Sequence, residues 1–189
     1  MKKIDARGLV CPQPVILIKR ALGESDEASI QVDNDAAVAN VRRFGENGGY
    51  EVTTLEEAGY TELFLKKSMA VEKSRDHEGV VVLIKSDRFG EGDEALGTVL
   101  MKSFLVSLLE SDTPLKALIF MNRGVHLTTT EGENLEKLIE IAGKGAALYS
   151  CGTCLDFYGL KGKLLVGEVT NMYSAVELLE DPRYKTITI

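Results

Sequence analysis

The second half of the chain alternates short, fully apolar segments with longer helical patterns, and this alternation restricts the fold more than any other feature. Residues 80–84 and 118–121 are apolar at every position, as a strand buried on both faces requires. Helical spacing at 95–109 and 134–142, a shorter strand at 146–149 and a further helix complete the pattern. We therefore predict a three-layer α/β/α domain with a mainly parallel sheet.

Residues 1–68 follow a different order: strand, helix, strand, helix, strand, strand. Apolar residues at helical spacing predict helices at about 13–22 and 36–47, and strand-like alternation surrounds a turn at 57–59. Two helices on one face of a four-stranded mixed sheet satisfy this β-α-β-α-β-β order. The sequence therefore predicts a two-layer α/β sandwich at the N-terminus.

Residues 69–78 separate the two patterns. This stretch is polar, has weak periodicity and resembles a linker in composition. The sequence thus predicts two domains, residues 1–68 and 79–189, that are joined by this segment.

Cysteine content and charge limit the classes of function. The chain has only 3 cysteines and no apolar leader after Met1, so we expect a reduced, cytoplasmic protein rather than a disulfide scaffold. Its apolar runs fall far short of the roughly 20 residues that span a bilayer, so no membrane segment is expected. A formal net charge of −7 argues against direct nucleic-acid binding.

Cys11 lies between a predicted strand and a predicted helix. Pro12 and Pro14 suit the first helical turn, where a backbone N–H has no helical partner. The partial positive charge of a helix N-terminus favours thiolate over thiol, which a nucleophile that attacks a sulfane sulfur needs. The alternative interpretation of Cys11 is a buried structural cysteine.

A second thiol site is predicted at Cys151 and Cys154. Cys151 follows a buried strand, at the carboxyl end where parallel sheets bind ligands, and Cys154 lies three residues further on. We expect Cys151 to be the more accessible thiol and Cys154 to be its resolving partner. A thioredoxin-like dithiol remains an open alternative.

No cofactor and no metal are expected. A structural zinc site takes four ligands, and the Cys151–Cys154 pair has no second pair at matching spacing, while His77 and His126 lie elsewhere. Residues 90–95 fit a dinucleotide-binding glycine pattern, but their three acidic side chains would repel a pyrophosphate. We interpret them as a loop in which Asp93 caps the next helix.

Three polar residues follow the second apolar strand: Asn122, Arg123 and His126. Their position would allow them to line the crevice near Cys151. A surface loop is the simpler interpretation of each.

The N-terminal third carries a family resemblance. Its motif consists of Asp5, Gly8, Leu9, Cys11, Pro12 and Pro14. These residues resemble the signature of the TusA/SirA-like sulfur carriers. The resemblance implies that Cys11 receives a persulfide from a protein donor such as a cysteine desulfurase and passes it to a protein acceptor.

The second half resembles the DsrE-like sulfur-transfer domains, in which a cysteine ends a strand and a glycine follows one helix later, as Cys151 and Gly159 do. Together the two halves resemble the YedF proteins, which are associated with selenium metabolism. The resemblance implies a sulfurtransferase-type carrier of sulfur or selenium with catalytic Cys11, Cys151 and Cys154. It also allows a homo-oligomer through the C-terminal domain.

Two other classes of function remain open. The first is a thiol-disulfide oxidoreductase or redox sensor that uses Cys151 and Cys154, with the N-terminal domain as a docking module. The second is a regulatory partner-binding protein that needs no thiol chemistry.

Overall fold

The structure is a computed structural model that describes residues 1–10, 12–68 and 77–189. The chain divides into two units, Met1–Ser74 and Arg75–Ile189, which we call the first and the second unit. Cys11 and all but the last two residues of the predicted linker 69–78 lie outside the described residues.

The first unit is the predicted two-layer α/β sandwich. Its elements are β1 (Lys2–Asp5), α1 (Gln13–Glu24), β2 (Glu27–Val32), α2 (Asp35–Asn47), β3 (Tyr50–Glu57) and β4 (Tyr60–Lys67). The strands form one sheet in the order β1-β2-β4-β3, in which β1 is parallel to β2 and the other pairs are antiparallel. The prediction of a four-stranded mixed sheet is therefore confirmed.

The core of the first unit lies between its two helices and the sheet. Ile18 of α1 and Val41 of α2 are fully buried against Ile30 and Leu63 of the central strands. Asn34 caps α2, because its side chain accepts a hydrogen bond from the N–H of Ala37 at 2.9 Å. This cap fixes where α2 begins, next to the loop that leads into α1.

The second unit is the predicted domain with a parallel sheet. Its elements are β5 (Gly79–Ile84), α3 (Glu94–Leu109), β6 (Leu115–Phe120), a 3₁₀ helix (Asn122–Thr128), α4 (Glu133–Gly143), β7 (Ala147–Cys151), α5 (Gly152–Phe157), β8 (Glu168–Thr170), α6 (Met172–Leu179) and β9 (Tyr184–Thr188). The five strands are all parallel, in the order β8-β7-β6-β5-β9. The strands β8 and β9 and the helix α6 lie beyond the elements that the sequence pattern predicts.

Apolar residues on both faces of the central strands explain the layers. On one face, Leu118 and Phe120 of β6 pack with Met101 and Leu105 of α3. On the other face, Ala117 and Ile119 pack with Ala175 of α6. The helices therefore cover both faces of the sheet, as strands that are apolar at every position require.

The ends of the strands position the candidate site. The 3₁₀ helix begins two residues after β6, and α5 begins directly after β7. A hydrogen bond of 2.8 Å between the hydroxyls of Thr128 and Ser150 joins the end of the 3₁₀ helix to β7. The predicted cap of α3 is also confirmed, since Asp93 accepts a hydrogen bond from the N–H of Leu96 at 2.8 Å.

Candidate functional site

Cys151 ends β7 and forms the N-cap of α5. Its sulfur accepts a hydrogen bond from the N–H of Cys154 at 3.4 Å. The side chain packs in the core beside Leu155 and is only 5% exposed. Cys151 is therefore held on the inner side of the site.

Cys154 lies in the first turn of α5 and is half-buried. Its sulfur accepts a hydrogen bond from the backbone N–H of Asn122 at 3.2 Å. The expectation that Cys151 is the more accessible thiol is therefore wrong. The side chain of Cys151 turns inward to cap α5, and the residue one helical turn later takes the outer position.

Both cysteines of this pair are free thiols. Burial raises the pKa of the Cys154 thiol, and its contact with the thiol of Cys151 adds to the rise. The hydrogen bond from the N–H of Asn122 opposes both effects, because it stabilises the thiolate. The Asn122 contact therefore acts in the direction that nucleophilic chemistry needs.

Asn122 has an unusual backbone. Its φ of 49° is the only positive value at a non-glycine position among the residues that the structure describes. Asparagine tolerates this left-handed conformation better than most side chains. Its side-chain oxygen accepts a hydrogen bond from the hydroxyl of Tyr158 at 2.6 Å, which ties the start of the 3₁₀ helix to the end of α5.

Tyr158 is the residue that sequence reasoning missed. It follows α5 directly, four residues after Cys154, and its ring packs against that of His126 with centroids 4.9 Å apart. The spacing of four residues was the available signal, because residues at i and i+4 share one face of a helix. The position of Asn122 beside this face could not be read from the sequence.

Arg123 points to a different partner. Its guanidinium forms two hydrogen bonds with the carboxylate of Asp87, at 2.9 and 3.0 Å. Burial would raise the pKa of Asp87, but the hydrogen bonds and charge of Arg123 outweigh it and the pKa is lowered. Of the three predicted crevice residues, Asn122 contacts Cys154, His126 packs on Tyr158, and Arg123 forms this ion pair.

The residues on either side of Cys11 in the chain belong to the first unit. Pro12 is the N-cap of α1, and the N–H of Gly8 donates to the carboxylate of Asp33 at 2.7 Å. An apolar cleft of about 250 Å³ lies between the start of α1 and the start of α2. It is lined by Leu9, Val10, Pro12, Pro14, Val15, Asn34, Ala36, Ala37 and Asn40.

Asp5, another residue of the N-terminal motif, orders the segment before Cys11. Its carboxylate accepts hydrogen bonds from the backbone N–H of Arg7 at 3.1 Å and from its guanidinium at 2.7 and 2.9 Å. These bonds lower the pKa of Asp5 to about 2. The carboxylate is therefore ionised at neutral pH and fixes the turn that follows β1.

In residues 1–10, 12–68 and 77–189, no three His, Cys, Asp or Glu side chains form a group that could hold a metal ion. Within the same ranges, no helix combines the length and the apolar content that crossing a membrane requires.

The burial of the two thiols leads to a testable order of reactivity. With limiting iodoacetamide at neutral pH, we expect Cys154 to be alkylated at least roughly tenfold faster than Cys151, because labelling a buried thiol needs a local opening. Tandem mass spectrometry of the peptide that contains both residues measures the two rates. The urea-unfolded chain is the control and should label both equally. Faster labelling of Cys151 in the folded chain would contradict this arrangement.

Comparisons with known proteins concern mainly the first unit. Residues 2–67 match the family model described as sulfurtransferase TusA. A Methanocaldococcus jannaschii protein, named as a candidate sulfur carrier, is 43% identical over 60 residues, which are 30% of this chain and 80% of that protein.

Two solved structures are also similar. A SirA-like protein from Desulfitobacterium hafniense is 35% identical, with a TM-score of 0.34, over 36% of this chain and 100% of its own. A protein of unknown function from Methanobacterium thermoautotrophicum is 18% identical, with a TM-score of 0.44, over 58% of this chain and 97% of its own.

Proposed function

Since the chain belongs, through residues 2–67, to the family of the sulfurtransferase TusA, we propose that it carries sulfur as a persulfide on cysteine. Membership of this family implies that the chain transfers sulfur between protein partners. The proposal adds the residues: Cys11 in the first unit, and Cys154 with Cys151 in the second. We also propose that residues 1–68 and 79–189 are two domains, that residues 69–78 link them, and that the protein is cytoplasmic.

The observation that carries the proposal is the position of Cys11 in the matched region, directly before Pro12, the N-cap of α1. In the loading step, the Cys11 thiolate attacks the outer sulfur of a donor persulfide. The donor's S–S bond breaks with its electron pair on the donor sulfur, and a new S–S bond forms on Cys11. The partial positive charge of the α1 N-terminus supports the attacking thiolate.

Features next to Cys11 in the chain support a protein as donor and as acceptor. The side chain of Val10 is 76% exposed, and the apolar cleft of about 250 Å³ begins beside it. An exposed apolar side chain next to an apolar cleft suits contact with a protein surface. We propose a cysteine desulfurase-like donor and a separate protein acceptor.

For the second unit we propose a second carrier site, and for the whole chain selenium as a further cargo. We assign the second unit to the DsrE-like sulfur-transfer domains on the resemblance of Cys151 and Gly159, and the whole chain to the YedF-like proteins, which are associated with selenium metabolism, on the joint resemblance of the two halves. The free thiol of Cys154 at the carboxyl edge of the sheet supports a second carrier site. Exposed Val169, Met172 and Tyr173 on β8 and α6 support a homo-oligomer through this unit.

One observation favours a second candidate, a thiol-disulfide oxidoreductase or redox sensor. Cys151 and Cys154 lie one helical turn apart, and the sulfur of Cys151 is 3.4 Å from the backbone nitrogen of Cys154. A pair at this spacing can close to a disulfide. The first unit would then be a docking module.

Intact mass separates the two candidates. The reduced chain is incubated with a cysteine desulfurase and cysteine and is then weighed. We expect a gain of one sulfur atom per loaded thiol. In a parallel sample, a small-molecule disulfide replaces the desulfurase and is reduced to two thiols; a loss of two hydrogens there, without sulfur uptake in the first sample, would support the redox function instead. Selenocysteine in place of cysteine tests selenium as cargo, and a heat-inactivated desulfurase is the control. A mass that does not change would contradict the proposal.

A further inference from the structure

The backbone of Asn122 is held in a conformation that needs support. A left-handed residue other than glycine costs free energy, and such strain persists where neighbouring groups fix it. Two contacts fix Asn122. The hydroxyl of Tyr158 donates to its side-chain oxygen at 2.6 Å, and its own N–H donates to the sulfur of Cys154 at 3.2 Å.

We propose that Tyr158 is a positioning residue for Cys154: its hydroxyl anchors Asn122 so that the backbone N–H of Asn122 points at the Cys154 sulfur and stabilises its anionic form. The inference rests on the proposed function, in which Cys154 accepts and releases sulfur. It gives the left-handed conformation of Asn122 a role in that site.

The N–H contact helps transfer in both directions. When Cys154 accepts sulfur, its thiolate attacks the outer sulfur of a persulfide, and the breaking S–S bond leaves its electron pair on the donor sulfur. When Cys154 passes sulfur on, an acceptor thiolate attacks the outer sulfur, and Cys154 leaves as a thiolate. In both cases the Cys154 sulfur is an anion at one end of the step, and a hydrogen bond to an anion is among the stronger ones.

Few other charged groups act on this sulfur. The ionisable residues on β7 are Tyr149 and Cys151, of which Tyr149 packs on the opposite face of the sheet. Those on the 3₁₀ helix are Arg123, paired with Asp87, and His126, packed on Tyr158. Asp156 of α5 itself pairs with Lys161. None of these residues donates to the sulfur of Cys154 in a hydrogen bond that the structure records.

Tyr158→Phe isolates the hydroxyl. Phenylalanine keeps the ring that packs on His126 and on Phe157, so only the hydrogen bond to Asn122 is lost. The matched control is Tyr184→Phe, since Tyr184 lies on β9, which is separated from β7 by β6 and β5 in the sheet. A second variant, Asn122→Gly, keeps the backbone N–H and permits the left-handed conformation without strain, but removes the side-chain oxygen through which Tyr158 holds that conformation.

The test measures the alkylation rate of Cys154 in the full chain as a function of pH, resolved by peptide mapping. We expect Tyr158→Phe to slow the alkylation of Cys154 about fivefold at neutral pH, because one hydrogen bond to the thiolate is weakened. For the same reason, the midpoint of the rate profile should move to higher pH. The alkaline plateau, where every thiol is ionised, should stay unchanged. Asn122→Gly should shift the profile in the same direction, and Tyr184→Phe should match the parent chain.

Three outcomes separate this inference from the proposed function. An unchanged midpoint in both Tyr158→Phe and Asn122→Gly overturns the positioning role, whether or not Cys154 takes up sulfur. A change of the plateau alone also overturns it, because that result reports accessibility rather than the thiolate. The third outcome is that both variants shift the midpoint while Cys154 of the parent chain never gains sulfur from the donor. That result leaves the positioning role intact and contradicts the proposed function at this thiol.

Discussion

The Cys11→Ser chain is expected to lose all sulfur uptake by the first unit, Met1–Ser74, when it is incubated with a cysteine desulfurase and cysteine. Cys11 is the only cysteine of this unit, because the other 2 are Cys151 and Cys154. A serine hydroxyl is not ionised at neutral pH and cannot form a persulfide. Peptide mapping of the first unit, with the added sulfur trapped by alkylation, measures the loss.

The matched control is the chain with Cys151→Ser and Cys154→Ser, which should load Cys11 as the parent chain does. Sulfur uptake by the first unit of the Cys11→Ser chain would contradict the prediction that Cys11 carries the sulfur of this unit. Sulfur found only on Cys151 or Cys154 would agree with it. A chain with both Cys11→Ser and Cys151→Ser that keeps its biological function would favour the regulatory, thiol-independent class.

The sequence predicts the central strands of the second unit because a strand buried on both faces contains consecutive apolar residues. Val80–Val82 in β5 and Ile119 in β6 lie in strands that are covered on both faces, so both strands contain a run of consecutive apolar residues. The edge strands β8 and β9 contain no such run of apolar residues. β8 has three residues, of which Glu168 and Val169 are exposed, and in β9 only Tyr184 and Ile187 are half-buried while the other three residues are polar and exposed. Their pairing with β7 and β5 depends on chain contacts that a local pattern does not contain.

The thiol pair could be predicted, but its geometry could not. The spacing of Cys151 and Cys154 after a strand places both at the start of a helix, which the structure bears out. Which thiol faces outward depends on how the N-cap side chain turns, and the sequence does not specify it. The contact between Asn122 and Cys154 needs β6 beside β7, with Phe120 opposite Ser150, so it arises only from the fold.

Gly124→Ala should produce the largest loss of stability that we predict near the site. Gly124 lies in the 3₁₀ helix, and a Cβ atom there would be 2.3 Å from the carbonyl oxygen of Ile84. That carbonyl cannot move aside easily, because it accepts the N–H of Met121 at 2.9 Å at the end of the sheet. The clash is between backbone groups, so no rotamer change relieves it.

We expect the substitution to lower the free energy of unfolding of the second unit by roughly 2–3 kcal/mol, the usual cost of overpacking a buried position. It should also displace Asn122 from Cys154, since Asn122 is the first residue of the 3₁₀ helix. Hydrogen exchange resolved to peptides measures the effect. Protection should fall in β5 and in the 3₁₀ helix but not in β2 of the first unit.

Gly143→Ala is the matched control. Gly143 is the last residue of α4, and a Cβ atom there would meet no other atom within 4 Å. Alanine in a helix is favoured over glycine by about 0.5–1 kcal/mol, so this variant should be as stable as the parent chain or slightly more so. Because Gly124 lies close to Ile84, Gly124→Ala should lower the free energy of unfolding, whereas Gly143→Ala should leave it unchanged or raise it slightly. Equal protection in the Gly124→Ala and Gly143→Ala chains would contradict that approach, and with it the position of the 3₁₀ helix that brings Asn122 to the thiol.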